Sequence, residues 1–339
     1  SQSGSGLGGG DGGGEAATAR KARTDGETAL PTAPPPRPIA PAGTKVTVRL
    51  LLAKYKARLP ISVVTAYDYP TAQLCERAGA DLLLVGDSVG MVVLGYDSTT
   101  PVTMEEMVHH TKAVRRGAPL AYMVADLPFG AYLGCADALQ NGARLLKEGG
   151  ADAVKLEGGR RVLPQVQALT DAGMAVMGHV GLTPQTHAAL GGYTVQGKSA
   201  AAACELLADA RALQAAGCFA IVLEMVPHKL ATLVTAQLRI PTIGIGAGVG
   251  TSGQVQVFHD LLGLYDKFQP KFSARYASVG AIAERALAEY VADVAARRFP
   301  GPQHSFAMPE DELHAFEQSL ESEPAEGDTD CDGERSRAS

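Results

Sequence analysis

The chain has 339 residues, 46% of them hydrophobic, with 36 acidic against 30 basic side chains and a net charge of −6. That is enough apolar material for one large core. The balance is too acidic for a nucleic-acid surface, and no apolar run reaches the ~18–20 residues that a membrane span requires.

Taken in chain order, residues 1–45 read as a disordered Gly/Pro-rich extension, from SQSGSGLGGGDGGG to PTAPPPRPIAPAG. Arg20, Lys21 and Arg23 suit a transit peptide, whereas Glu15, Asp25 and Glu27 do not, so mitochondrial matrix and cytoplasm both stay open. VTVRLLLAKYKA (46–57) then reads as a helix able to cap a barrel. Eight short aliphatic runs follow: 61–67, 80–86, 120–125, 152–157, 174–179, 219–224, 241–246 and 254–260. Helical segments at 104–116, 135–149, 199–217 and 227–238 separate several of them. Strands apolar on both faces and alternating with helices imply a parallel sheet. Eight such units predict a (β/α)8 barrel, a TIM barrel, over residues 46–300, with the short connection before 254–260 leaving the eighth strand least well marked. Residues 279–298 form an amphipathic helix whose stripe of Val279, Ile282, Leu287, Tyr290, Val291 and Val294 suits either the barrel or a neighbouring subunit. Residues 301–339 read as an acidic, mostly disordered tail. The five cysteines, Cys75, Cys135, Cys204, Cys218 and Cys331, carry neither CxxC nor metal spacing, which fits isolated thiols in an intracellular protein.

In such a barrel the chemistry sits at the carboxyl ends of the strands. Read in order, those ends supply Asp87 and Ser88, Asp126, Lys155 and Glu157, His179, and Glu224; the seventh ends in GIGAG (244–248). Each has a plain structural reading. Asp87, Asp126 and Glu224 could cap helices, Lys155 and Glu157 could form a structural ion pair, and His179 could be a hydrogen-bonded core residue. GIGAG is either a tight turn or a phosphate-binding loop. His109, His110 and His187 read as solvated or supporting, and His259 with Asp260 as possible additions to the site. The pattern carries more weight than its members. Carboxylates aimed at one mouth repel each other unless a cation neutralises them, and oxygen ligands suit Mg2+. A carboxylate-held Mg2+, a lysine and a separate glutamate are a kit for making an enolate from a 2-oxo acid.

The motifs TAYDYPTA, GDSVGM, ADLPFGAY, VKLEGG, GHVGLTPQ, GGYTVQGK, LEMVP, IPTIGIGAG and FQPKFSARY, spread from about Thr65 to Tyr276, resemble those of the ketopantoate hydroxymethyltransferases. The resemblance implies a barrel of the phosphoenolpyruvate/pyruvate superfamily. It also implies transfer of a hydroxymethyl group from 5,10-methylenetetrahydrofolate to 3-methyl-2-oxobutanoate, giving 2-dehydropantoate for pantothenate and coenzyme A. By the same resemblance Asp87, Asp126 and Glu157 are metal residues, the last through water. Ser88 and Lys155 hold the 2-oxo acid, His179 contacts the new hydroxymethyl group, and Glu224 is the general base. No motif marks the folate site. The family's large rings, often decamers, imply a homo-oligomer. Two rivals remain: a Mg2+-dependent 2-oxo acid lyase of the same superfamily, disfavoured because no cysteine ends a strand, and a non-catalytic barrel scaffold.

Overall fold

The computed structural model describes residues 43–322; the expected extension and acidic tail fall largely in residues 1–42 and 323–339, outside the described residues. Among the described residues eight parallel strands pair in sequence order and close on themselves. They are β1 (Ile61–Thr65), β2 (Leu82–Val85), β3 (Tyr122–Asp126), β4 (Ala153–Lys155), β5 (Val176–Gly181), β6 (Ala220–Glu224), β7 (Thr242–Ile245) and β8 (Gly253–Gln256). β8 closes the ring by pairing Val255 with Val63 of β1. The predicted barrel is thus the observed one.

Helices wrap the outside: α1 (Val48–Lys56), α2 (Tyr69–Arg77), the single turn α3 (Val89–Val92), α4 (Met104–Gly117), α5 (Cys135–Lys147), α6 (Leu163–Asp171), α7 (Ala200–Ala215), α8 (His228–Ala236) and the short α9 (Phe258–Leu262). Local chemistry starts them. Thr103 and Glu106 bond reciprocally to each other's backbone N–H at the head of α4, Asp68 and Thr71 do the same for α2, and the Ser199 hydroxyl accepts from the Ala202 N–H at α7. Such caps satisfy N–H groups that the helix itself cannot.

Strand alternation splits the core in two. Leu83, Val85, Met123, Ala125, Val154, Val176, Ile221 and Leu223 point outward to meet helix residues such as Met107, Leu145 and Leu213. Leu82, Leu84, Val124, Ala153, Met177, Val222, Ile243 and Ile245 point inward and fill the barrel. At the amino ends of the strands two carboxylates are fully engaged. Asp81 accepts from Lys54 Nζ, the Ser62 N–H and the Ser62 hydroxyl at 2.5, 2.7 and 2.8 Å. Asp152 accepts from Lys45, Arg115 and the Met123 N–H at 2.8, 2.5 and 2.8 Å.

Some sequence expectations shift. The eighth strand ends at Gln256, so His259 and Asp260 lie in α9 rather than on a strand end. The helix α6 has no counterpart in the sequence reading, and α2, around the cysteine Cys75, has no bounds there; each is nine residues long with a proline in its first turn. The helix α10 (Val279–Ala295) forms as expected but buries no residue against the barrel. Part of the expected disordered tail, Glu310–Ser322, is helix α11, whose first turn holds Glu310, Asp311 and Glu312, favourable charges at the positive end of a helix.

Candidate active site

The same alternation that fills the barrel builds the site. One pleat above the inward layer, Val124 gives way to Asp126, Ala153 to Lys155 and then Glu157, Met177 to His179, and Val222 to Glu224. Five buried polar groups therefore meet at the mouth: Asp87, Asp126, Lys155, Glu157 and His179 are each 5% exposed or less. Glu224 is more open, its side chain 14% exposed.

The cluster is contiguous. Asp126 and Lys155 are neighbours in register, and Lys155 Nζ lies 2.8 Å from Asp126 Oδ1 and 4.0 Å from Glu157 Oε1. Asp126 Oδ2 accepts from the Asp87 N–H at 3.1 Å. His179 bridges two carboxylates, with Nδ1 3.5 Å from Glu157 Oε1 and Nε2 3.3 Å from Glu224 Oε2. The Ser88 hydroxyl pairs with the fully buried Tyr67 hydroxyl at 2.8 Å. The structure thus brings together all seven residues singled out from the sequence.

The helix-capping readings of Asp87 and Glu224 do not hold, whereas Lys155 does pair with buried carboxylates. The α3 turn after Asp87 has no side-chain cap, and Glu224 makes no cap bond to α8. Asp126 Oδ1, though beside the ammonium, lacks an aligned hydrogen bond, as do both ring nitrogens of His179. Buried polar atoms left without partners are uncommon and point to a missing ligand. Burial pushes the Asp87 carboxyl up to about 7, with the Asp126 charge adding to the effect. Burial likewise raises Glu157 well above the usual carboxylate range and lowers His179. Burial acts against the Lys155 ammonium too, but Asp126, Glu157 and Asp87 outweigh it and hold its pKa up.

Among the described residues no group of three or more His, Cys, Asp or Glu side chains is placed to hold a metal ion, so direct protein ligation would fall to two carboxylates at most. Asp87 and Asp126 adjoin, while Glu157 is held back by the Gln185 N–H at 3.0 Å. Two adjoining carboxylates, with a third gathered round the same lysine, fit Mg2+, which keeps waters and takes one or two carboxylates directly.

Glycines permit the crowding. A side chain on Gly86 would meet Ser88 Oγ at 3.0 Å and Asp126 Oδ2 at 3.5 Å. Gly181, at φ 96°, lies where a Cβ would come 2.2 Å from the Glu224 carbonyl oxygen. Met225, directly after Glu224, holds φ 47°, a costly conformation for a residue with a side chain. The close approach expected at GIGAG is made by the protein itself, since Phe272 packs where a Gly246 side chain would be. His259 faces Tyr67 with ring centres 5.5 Å apart, behind the site, and neither it nor Asp260 joins the cluster. His110 is a supporting residue, its Nδ1 2.6 Å from the Tyr67 carbonyl, and His187 stacks on Tyr193. A cavity of about 780 Å³ opens beside the cluster rather than over it, between Gly158–Arg161 and Glu205 and Asp209 of α7. Reading the sequence missed Gln185, Tyr132 and Tyr67, which lie within the recognised motifs but do not end strands.

The fold and the site define a closed parallel barrel with buried carboxylates and a lysine gathered at the carboxyl end of the strands. Residues 45–302 match the family model described as ketopantoate hydroxymethyltransferase. The protein named 3-methyl-2-oxobutanoate hydroxymethyltransferase from Heliobacterium modesticaldum is 55% identical, over 79% of this chain and 98% of its own length. Its namesake from Moorella thermoacetica is 56% identical over 78% and 98%. Among solved structures, phosphonopyruvate hydrolase in complex with oxalate and Mg2+ is 14% identical, with a TM-score of 0.51 over 81% of this chain and 96% of that one, a likeness of fold. The chain belongs to the ketopantoate hydroxymethyltransferase family and is a transferase.

Proposed function

We propose that the chain moves a hydroxymethyl group from 5,10-methylenetetrahydrofolate to 3-methyl-2-oxobutanoate, a step toward pantothenate and coenzyme A, with Mg2+ as cofactor. In balance, the 2-oxo acid, the folate and one water give 2-dehydropantoate and tetrahydrofolate. Asp87 and Asp126 would hold Mg2+ directly and Glu157 through water. When bound, the ion supplies Lewis-acid polarisation of the 2-oxo acid. Ser88, steadied by Tyr67, receives the substrate carboxylate, and Lys155 donates to an oxygen of the 2-oxo acid. Glu224 takes the proton from C3. Water hydrolyses the methylene bridge, breaking both C–N bonds to give tetrahydrofolate and a one-carbon aldehyde. C3 then attacks the aldehyde carbon as its C=O π bond opens, the oxygen takes the proton held by Glu224, and His179 donates a hydrogen bond to the new hydroxymethyl oxygen.

The observation that carries this reading is the placement of Glu224. It is the most open carboxylate of the cluster, its Oε2 set 3.3 Å from His179 Nε2. A base must reach substrate, whereas metal residues need not. The decisive test is hydrogen–deuterium exchange at C3 of 3-methyl-2-oxobutanoate, followed by NMR with Mg2+ and with or without tetrahydrofolate. Exchange that needs Mg2+ and vanishes in Glu224→Gln supports the scheme, and turnover should fall far more than substrate binding. Silence under both conditions would overturn the enolate chemistry.

A homo-oligomer, in the extreme a decamer, is supported by α10, whose Ile282, Leu287, Tyr290 and Val291 are all more than half exposed. The bacterial sources of the relatives favour the cytoplasm over the mitochondrial matrix. No helix among the described residues is long and apolar enough to cross a membrane.

A further inference from the structure

The glutamine that ends GHVGLTPQ has no part in the scheme above, yet it is 3% exposed and touches two of the three proposed metal carboxylates. Its side-chain Nε2 donates to Asp87 Oδ2 at 2.8 Å and to the Leu127 carbonyl at 2.9 Å. Its Oε1 accepts from the Tyr132 hydroxyl at 2.5 Å. Its backbone N–H donates to Glu157 Oε2 at 3.0 Å.

These contacts fix the amide's orientation. Turned over, its oxygen would face a carboxylate and a carbonyl, three acceptors with no proton among them, while its nitrogen would face the Tyr132 hydroxyl. Both N–H bonds are spent as the side chain stands, so Gln185 offers Asp87 a single donor at a fixed angle. The Tyr132 hydroxyl is steadied in turn, accepting from the Glu157 N–H at 3.3 Å. One residue thus aims Asp87 with its side chain and holds Glu157 away from the Asp87–Asp126 pair with its backbone.

We infer that Gln185 is a positioning residue for divalent-cation binding, setting which Asp87 oxygen faces the ion and keeping Glu157 at its distance, with Tyr132 acting through it. The inference rests on the Mg2+ reading above. Partners of metal-binding carboxylates commonly set affinity by 10–100-fold.

The test is Mn2+ binding to the full-length protein, followed by electron paramagnetic resonance, for wild type, Gln185→Met, Tyr132→Phe and the double variant. Gln185→Met keeps the length of the side chain and the backbone N–H to Glu157 but removes the donor to Asp87. The expected result is a Kd for Mn2+ raised about 10–100-fold, with activity at limiting Mg2+ lost and restored by excess Mg2+. A residue that merely holds the fold would lower Tm without changing the Mg2+ requirement. Tyr132→Phe should weaken binding less, and should add less in the Gln185→Met background than it costs alone. Unchanged Mn2+ affinity in folded Gln185→Met overturns the inference. If that variant does not fold, unchanged affinity in Tyr132→Phe does so. A wild type that binds no Mn2+ or Mg2+ would instead sink the metal reading itself, and this inference with it.

Discussion

Replacing Lys155 by methionine removes the ammonium that faces Asp126 at 2.8 Å and Glu157 at 4.0 Å while leaving the volume of the site nearly unchanged. Breaking a buried pair by deleting one partner costs about 3–5 kcal/mol, because the remaining charge stays buried. Glu157, whose pKa burial already raises, has an escape, which is to take up a proton. Below its pKa a carboxyl is already neutral, and above it neutrality costs about 1.4 kcal/mol per pH unit. In the intact protein burial already pushes Asp87 up to about 7 and raises Glu157 as well. Lysine stays charged across pH 5.5–8, its pKa held up by these neighbours, so the pH dependence belongs to the carboxylates. The damage should therefore be full at pH 8 and small at pH 5.5. At about 2–4 °C per kcal/mol for a domain of this size, the loss in Tm at pH 8 is roughly 6–20 °C. Differential scanning calorimetry in EDTA at the two pH values measures it. A variant as stable as wild type at pH 8, or one equally damaged at both pH values, would refute the account of the buried cluster.

Mg2+ should raise Tm in the wild type by an amount that grows from pH 5.5 to about 7 and then levels off. An Asp whose folded pKa is raised loses stability as pH climbs through its titration, and the ion relieves the ionised form; thermal shift across pH with and without Mg2+ checks this, and a shift that shrinks with rising pH would contradict it. Gly181→Ala should push the β6 end that carries Glu224, because its Cβ would lie 2.2 Å from the Glu224 carbonyl oxygen and 2.9 Å from Val226 at a φ of 96°. Turnover should fall on the order of 10–100-fold with a smaller change in KM, read by steady-state kinetics.

How far the sequence could be read depended on the kind of signal. Strands that end in Asp126, Lys155 and Glu224 show themselves because a charge terminates an apolar run, and the pleat then dictates which way it points; His179 closes an apolar run too, although β5 continues two residues beyond it. Asp87 and Ser88 follow a strand that is buried throughout and stood out for the same reason. Gln185 and Tyr132 end no strand, and their importance lies in contacts 98 and 53 residues apart in the chain. Nothing local to either residue announces such a meeting. His259 and Asp260 failed the opposite way. A run of alternating residues looked like strand to residue 260, but the chain turns into α9 at Phe258, whose N–H is taken by the Thr65 hydroxyl.

The two ends of the barrel treat their acids in opposite ways. Asp81 and Asp152, at the base, each accept three hydrogen bonds, from lysine, arginine, serine or backbone donors. Asp126, at the mouth, keeps an oxygen without an aligned donor. The base is a clamp satisfied by its own donors, and the mouth crowds its acids round a single lysine. Inheritance can therefore act on the two separately. Loops above the strands are free to drift toward new substrates while the clamp preserves the ring, and a lineage could change its chemistry without first having to rebuild its foundation.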